Sequence, residues 1–241
     1  MQLRERLASV CLALAVIIPL SVPSCGADSS DAPIRVEFYI VGGYRFSWLE
    51  QRAVSRVAEE AVEEARRVLP RLPPHLLLKV RAGGNVIPET GEVSNAIGPN
   101  VIWWDVDPRH PGGVRATVNR ELRASLFHAF LHLVRDGPGI GRDLRETLVG
   151  EGMAIVFERD FAHASRPWGQ CGETDKARVG AVLAMSTDEW GAWLAEDRRN
   201  RRWAGQRVGT CIVNAAIGAS RQNVVQMASM PTDAVIQLAG F

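Results

Sequence analysis

The sequence predicts an α+β fold, in which a small sheet of about three or more strands precedes a mainly helical half. Two patterns indicate this: apolar residues alternate in short segments up to residue 106, whereas from about residue 118 they recur at helical spacing. The chain has 241 residues, of which 46% are hydrophobic and 23% charged. That is enough for one substantial core, and two compact domains would be hard to accommodate.

The chain begins with a pattern typical of export. Arg4 and Arg6 form a charged start, and residues 7–20 form an apolar stretch of 14 residues. Such a stretch is too short to cross a bilayer comfortably. We therefore expect residues 1–24 to be a secretory signal peptide.

A possible lipid attachment site follows the signal. Val22-Pro23-Ser24-Cys25 resembles a bacterial lipobox, although Pro23 is not a favoured residue there. We expect Cys25 to carry lipid and residues 25–33, which are small and polar, to tether a domain at 34–241 to a membrane of the cell envelope. The alternative is ordinary signal cleavage nearby, for instance after Ala27, which would leave a soluble secreted protein.

Cysteine usage agrees with export. Cys11 would leave with the signal and Cys25 would be lipidated, so Cys171 and Cys211 would remain in the folded domain. In an oxidising compartment the two are a reasonable disulfide. Two unpaired buried thiols are the alternative.

The charge balance bears on the partner. Removal of residues 1–24 takes two of the 28 basic residues and one of the 27 acidic residues, which leaves 26 of each. A neutral mature chain argues against nucleic acid as a partner.

The first half predicts strands around one long helix. Ser47 and Glu50 form a capping box that opens this helix, and Pro70 ends it. A glycine-rich loop is expected at 83–99. The predicted strands are 35–41, 76–80 and 100–106.

The second half predicts helices. The first two span about 118–134 and 144–161, with a glycine-rich break at 137–141 between them. A capping box at Ser186 and Glu189 opens a further helix, which ends in a basic cluster at 198–202. Terminal helices are expected at 204–216 and 232–238.

Two histidines stand four residues apart in Ser125-Leu-Phe-His-Ala-Phe-Leu-His132. On a helix, residues four apart share one face, so His128 and His132 can bind one ion. Glu151 on the next predicted helix would complete three protein ligands, the number that catalytic zinc sites use. In the alternative interpretation, the histidines only pack or form hydrogen bonds and the glutamate forms a local cap or pair.

This ligand layout is that of the gluzincin peptidases, in which HExxH is completed by a glutamate on the next helix. The chain resembles a family of uncharacterised bacterial proteins described as predicted zinc-dependent proteases, many of them lipoproteins. The resemblance covers most of residues 34–241. Its motifs are Leu126 to Arg135, Leu148 to Glu158, Arg166-Pro-Trp168 and Gly209 to Val213. It implies a zincin-like helical half, a zinc ion held by His128, His132 and Glu151, and peptidase activity.

The chain departs from this pattern at the general base. Ala129 occupies the position of the glutamate that moves the proton in HExxH enzymes, a role typically worth about 10²–10⁴-fold in rate. Glu121 and Glu146 are the nearest carboxylates in sequence. The other usual helper, an oxyanion donor, has no obvious candidate: Tyr39 and Tyr44, the only tyrosines, lie far upstream, and His163 is expected on the surface.

Three functions remain open on these grounds. The first is a zinc peptidase that is slow or inactive. The second is a non-catalytic envelope protein that binds a peptide or protein in the former substrate cleft, with the strand at 100–106 as the candidate sheet edge and Trp103 and Trp104 either on it or in the core. The third is a structural lipoprotein without a ligand.

Overall fold

The computed structural model describes residues 32–135, 143–196 and 202–241, with the side chains of 194–196 excepted. The predicted signal peptide, Cys25, nearly all of the tether, the glycine-rich break and residues 198–201 of the basic cluster lie outside these ranges. The fold is α+β, as predicted: a sheet on the N-terminal side is followed by a mainly helical region.

Four strands form the sheet. They are β1 (Ile34–Tyr39), β2 (Leu76–Ala82), β3 (Glu92–Ala96) and β4 (Val101–Val106). Their order is β1-β2-β4-β3, so the chain skips a position after β2 and returns to fill it. β1 and β4 run parallel to β2, whereas β3 runs antiparallel to β4.

The predicted edge strand was wrong. Residues 100–106 do form a strand, but β4 lies between β2 and β3, and the edge is β3. β3 falls within the stretch predicted as a glycine-rich loop. Its residues are mostly polar and give no strand signal of their own, so pairing with β4 decides their conformation.

One face of the sheet is buried. Alternate residues of β2 and β4 point into the core, including Leu78, Val80 and Ile102. Trp104 is fully buried, whereas Trp103 lies on the opposite face between Lys79 and Arg81. The alternation therefore places one tryptophan in the core and one outside.

Helices pack against the buried face of the sheet, with α1 (Trp48–Val68) between β1 and β2 in the chain and the other helices after β4. Ser47 and Glu50 form the predicted capping box at the start of α1. The predicted helix at 118–134 begins with a π-helical turn (Val118–Leu122) that runs directly into α3 (Arg123–Arg135). No sequence prediction covered α2 (Gly113–Thr117), a 3₁₀ turn (Pro167–Gly169), α5 (Glu173–Leu183) and α8 (Val224–Met227). The helices are α1 (Trp48–Val68), α2 (Gly113–Thr117), α3 (Arg123–Arg135), α4 (Leu144–Ala162), α5 (Glu173–Leu183), α6 (Thr187–Glu196), α7 (Ala204–Ser220), α8 (Val224–Met227) and α9 (Thr232–Leu238).

Helices α4 and α7 touch backbone to backbone. A Cβ added to Gly152 would lie 2.2 Å from the carbonyl of Gly209, and one added to Gly209 would lie 2.1 Å from the carbonyl oxygen of Leu148. Gly152, directly after Glu151, therefore serves the contact with α7 (Ala204–Ser220) rather than an approach to the histidine helix. Because neither glycine has a side chain, α4 and α7 can approach this closely.

A disulfide joins α7 to the segment that precedes α5. Cys171 and Cys211 are bonded, with their Cα atoms 5.0 Å apart. This confirms the pairing expected from the cysteine count.

None of the described helices combines the length and the hydropathy that a bilayer-spanning segment requires.

Candidate metal centre

The three predicted ligands converge. His128 and His132 lie one turn apart on α3, with ring centroids 5.0 Å apart, and Glu151 faces them from α4. One ligand atom from each residue lies within 4.8 Å of the other two. The sequence spacing therefore identified a cluster that the fold brings together from two helices.

Each carboxylate oxygen of Glu151 faces one imidazole. Oε2 lies 3.8 Å from Nε2 of His128, and Oε1 lies 3.5 Å from Nε2 of His132. In a tetrahedral zinc site with bonds of about 2.0–2.1 Å, neighbouring ligand atoms are about 3.4 Å apart. One ligand atom from each residue lies within 4.8 Å of the others, so the separations between ligand atoms would have to shorten by up to about 1.4 Å for the three residues to share one ion.

The site is neither sealed nor fully open. The side chains of both histidines are 19% exposed and that of Glu151 is 31% exposed. Structural zinc sites are closed by a fourth protein ligand, whereas sites with three protein ligands leave one position for water or substrate. The donor set of two imidazoles and one carboxylate fits zinc of the second kind.

The surroundings keep Glu151 ionised. Burial alone would raise its pKa, but a hydrogen bond and positive charge from His132, the charge of His128 and a hydrogen bond from Gln206 outweigh this effect and lower the pKa to about 2. The carboxylate is therefore ionised, as a metal ligand must be, although ligating histidines must be neutral and would then contribute no charge to this effect.

A buried carboxylate lies behind His128 at ion-pair distance. Oε2 of Glu158 lies 3.4 Å from Nδ1 of His128, on the ring atom opposite the one that faces Glu151. Arg166 donates a hydrogen bond of 2.5 Å from Nε to Glu158 and a second from Nη1 to Glu121. A carboxylate behind a ligating histidine fixes the ring orientation and its tautomer, and makes the ring a stronger ligand.

The sequence contained a signal for Glu158 that our prediction did not use. Glu158 follows Glu151 by seven residues, which is two helical turns and so the same face of α4. Arg166 stood in a motif of the family resemblance without an assigned role. No spacing rule connects Arg166 to Glu121 or Glu158, because the chain between them turns back after α4.

A second buried carboxyl group lies on β3. Glu92 is 2% exposed and accepts a hydrogen bond of 2.9 Å from the indole nitrogen of Trp104. Burial raises its pKa, although hydrogen bonds from Ser125 and Trp104 and the charge of Arg166 act in the opposite direction. The sequence predictions missed Glu92 because they placed it in a loop.

A cavity of about 280 Å³ opens in front of the cluster. His128 and Glu151 line one side, and β3 residues 92–95 line the other. Trp168 and Trp203, whose ring centroids are 4.5 Å apart, form part of the wall. The candidate metal ligands therefore face the edge strand of the sheet across a cleft.

Position 129 offers no proton acceptor. Ala129 is 1% exposed and belongs to the hydrophobic core. Of the two carboxylates nearest in sequence, Glu121 is paired with Arg166 behind the site, and Glu146 lines a different cavity with Arg135. Neither replaces the missing glutamate.

The residues considered as oxyanion donors lie elsewhere. Tyr39 stacks near Trp103 on the outer face of the sheet, and Tyr44 donates a hydrogen bond to Glu50. His163 is exposed at the end of α4. Among the described residues that line the cleft, the basic side chains are instead His128 and Arg166.

Comparison with known proteins leaves the resemblance untested. No family model, no curated protein and no solved structure matches this chain. Membership of the predicted zinc-dependent protease family therefore remains a prediction from the motifs, and the functional argument rests on the site itself.

Proposed function

We propose that this chain is an exported, lipid-anchored protein with a zinc site of the metallopeptidase type, held by His128, His132 and Glu151. The observation that carries the proposal is the convergence of these ligand atoms from two helices at the wall of a cleft. Glu158 adds support, because it occupies the orienting position that ligating histidines usually have filled.

Each residue of the site would have a separate part. A bound zinc ion would supply Lewis acidity toward a substrate carbonyl group. His128 and His132 would hold it through their Nε2 atoms, which face Glu151, and Glu151 would supply the negative charge. Glu158 and Arg166 keep His128 in place.

Catalysis would be impaired. Hydrolysis needs a group that takes a proton from the attacking water and delivers it to the leaving amine. The carboxylates lining the cleft are already engaged: Glu151 with the histidines, Glu158 with Arg166, and Glu92 with Trp104. With Ala129 buried, we expect hydrolysis to be slow or absent.

Zinc content tests the site directly. Residues 32–241, purified and dialysed against zinc, should contain one equivalent by elemental analysis, and His128→Ala should lose it because two ligands hold zinc poorly. His75→Ala is the matched control, since this histidine is exposed and far from the cluster in sequence. Equal zinc in the wild type and in His128→Ala would contradict the proposal.

The second candidate function is peptide binding without turnover. The observation that favours it is that β3 is the sheet edge and lines the same cavity as His128 and Glu151. An exposed sheet edge can pair with an extended peptide through main-chain hydrogen bonds, without any contribution from a metal. A further cavity of about 180 Å³ on the other side of Glu151, partly walled by Leu148 and Trp190, would accept an apolar side chain.

Restoring a carboxylate at position 129 separates the two functions. Ala129→Glu should increase hydrolysis of an unstructured protein such as casein by about 10²-fold or more in the presence of zinc, because it returns the general base. Ala129→Gln has the same size and no basic carboxylate, and it should stay at the wild-type rate. If the two variants behave alike while zinc is bound, the cleft serves binding alone.

A further inference from the structure

Exposed apolar side chains are concentrated at one end of the molecule. Among the described residues, six large hydrophobic side chains are exposed, and four of them belong to the short segment 40–49. We call these four the apolar tip: Ile40, Val41, Trp48 and Leu49, with exposures of 61%, 43%, 65% and 53%. Single exposed apolar residues are ordinary on a protein surface, but a group of this kind indicates an interaction site.

The fold holds the four residues at one edge. Ile40 and Val41 directly follow β1, and Trp48 and Leu49 form the first turn of α1. The connection between them is a tight turn, in which the backbone N–H of Tyr44 donates a hydrogen bond to the carbonyl oxygen of Val41. Gly42 and Gly43 in this turn adopt positive φ angles of 59° and 80°. The residues that follow β1 and those that begin α1 therefore lie at the same end of the strands.

Positive charge surrounds the apolar tip. Arg45 and Arg52 are exposed, and the guanidinium of Arg52 lies 5.2 Å from the centre of the Trp48 ring. Glu50 is the one acidic residue in the segment 40–52, and Tyr44 and the backbone nitrogen of Ser47 each donate it a hydrogen bond of 2.7 Å. The Glu50 carboxylate is thus hydrogen-bonded within the loop, and Arg45 and Arg52 give the exposed surface around the apolar tip a positive charge.

Apolar side chains with a tryptophan, flanked by arginines, match the boundary between lipid headgroups and acyl chains. Tryptophan favours this boundary, leucine and isoleucine insert below it, and arginine binds anionic headgroups. A surface that binds a protein is more often a groove or a flat patch with a polar rim, whereas the apolar tip projects from a loop and from the start of a helix.

We propose that the apolar tip docks the folded domain onto an anionic lipid bilayer. The expected anchor agrees with this in reach: the nine residues from Cys25 to the start of β1 span at most about 30 Å, and β1 is about 20 Å long. A domain tethered at Cys25 can therefore lay its far end on the same membrane. The proposal does not depend on zinc or on the cleft.

Docking would also place the cleft near the membrane. The sheet register aligns Tyr39 at the end of β1 with Arg81, Asp105 and Val93 across the sheet. Val93 lines the cleft, so part of the cleft lies at the same end of the strands as the apolar tip, three strand spacings away. At about 4.8 Å per strand this is about 15 Å.

Vesicle sedimentation of residues 32–241 tests the proposal without any lipid anchor, since the whole described core and the disulfide lie within this range. The protein should sediment with vesicles of phosphatidylcholine and phosphatidylglycerol. The double variant W48S/L49S should lower the partition coefficient by at least about tenfold, because two large apolar side chains no longer insert. R45Q/R52Q should lower it by about fivefold for each arginine, and added salt should have the same effect.

Ile97→Ser is the matched control. Ile97 is 47% exposed and follows β3 at the opposite end of the strands from the apolar tip, so its loss should leave vesicle binding unchanged. Far-ultraviolet circular dichroism checks that all variants are folded. Equal binding of W48S/L49S and the wild type, or no binding of the wild type, would overturn the proposal. So would wild-type dimerisation that W48S/L49S abolishes, which would make the apolar tip an interface between two copies.

Discussion

At the scale of single residues, Glu92 is the least expected group in the molecule. A carboxyl group that is 2% exposed, with an indole and a hydroxyl as hydrogen-bond partners and no cation within ion-pair distance in the described part of the chain, is costly to ionise. Burial accordingly raises its pKa above 4.5. The folded protein therefore binds this proton more tightly than the unfolded chain does.

This linkage gives a pH prediction. As pH rises above 4.5, the unfolded chain releases the proton of Glu92 first, so the free energy of unfolding should fall until the raised pKa of the folded state is passed. Glu92→Gln keeps the acceptor for Trp104 and removes the titration. Urea denaturation of both proteins across this range should show the variant gaining stability relative to the wild type as pH rises. A difference that does not change with pH would show that Glu92 keeps an ordinary pKa.

Individual site residues were predictable where one element carries the pattern. His128 and His132 follow from a single helical turn, and Glu151 followed from its interval to them. Glu92 and Arg166 were not predictable as site residues, because β3 has no strand signal of its own and the segment after α4 returns to the cleft through tertiary contacts. Spacing rules describe neighbours on one element, and these residues become neighbours only in the fold.

At the scale of elements, the contact between α4 and α7 sets the position of Glu151. Gly152 follows the glutamate directly and lies against Gly209, with no room for a Cβ on either. The third candidate ligand is therefore placed by the approach of two backbones. Helix α7 has a further glycine, Gly218, at which a Cβ would meet nothing within 4 Å.

These two glycines make a matched pair for substitution. Gly209→Ala should destabilise the protein, toward the upper end of the about 1–3 kcal/mol typical of overpacked cores, because the helices must separate. It should also weaken zinc binding, since α4 carries Glu151. Gly218→Ala should raise stability by up to about 1 kcal/mol through helix propensity alone. Thermal unfolding measures both, and equal effects of the two substitutions would refute close packing at Gly209.

Elements were predicted well where they bury one face. The capping box of α1, the helices α3 and α4 and the alternation in β2 and β4 appear in the structure close to the predicted bounds. The order of the strands was not predictable, and this led to the wrong edge. The apolar alternation within a segment identifies the buried face of that strand. Which strand lies beside it depends on the path of the chain between the two strands.

At the scale of the whole molecule, the disulfide links two parts of the helical half that are distant in sequence. Cys171 and Cys211 are 40 residues apart in sequence, and the loop between them contains α5 and α6. Cys211 lies two residues after Gly209, so the bond restrains α7 beside its contact with α4. A covalent link here supports the wall of the cleft that carries Glu151.

Removal of this bond should lower the stability of the whole domain. A closed loop of this length corresponds to about 2–4 kcal/mol, because the reduced unfolded chain gains conformational freedom. The double variant C171S/C211S, compared with the wild type by urea denaturation, should show this loss, and a reducing agent should destabilise the wild type alone. Equal stability of the wild type with and without reductant would contradict the prediction.

The strand order also has a consequence for the sequence of folding events. β3 is synthesised before β4, yet β4 is its only partner among the described strands, and β4 must pair with β2 to hold the interior position. β3 and β4 are joined by residues 97–100 and can pair first as a local hairpin, whereas the parallel pairing of β4 with β2 is non-local and such pairings are slow. During refolding, protection of the β3 amides from hydrogen exchange should therefore appear no later than that of the β2 amides. The cleft wall reaches its place only when this hairpin docks on β2.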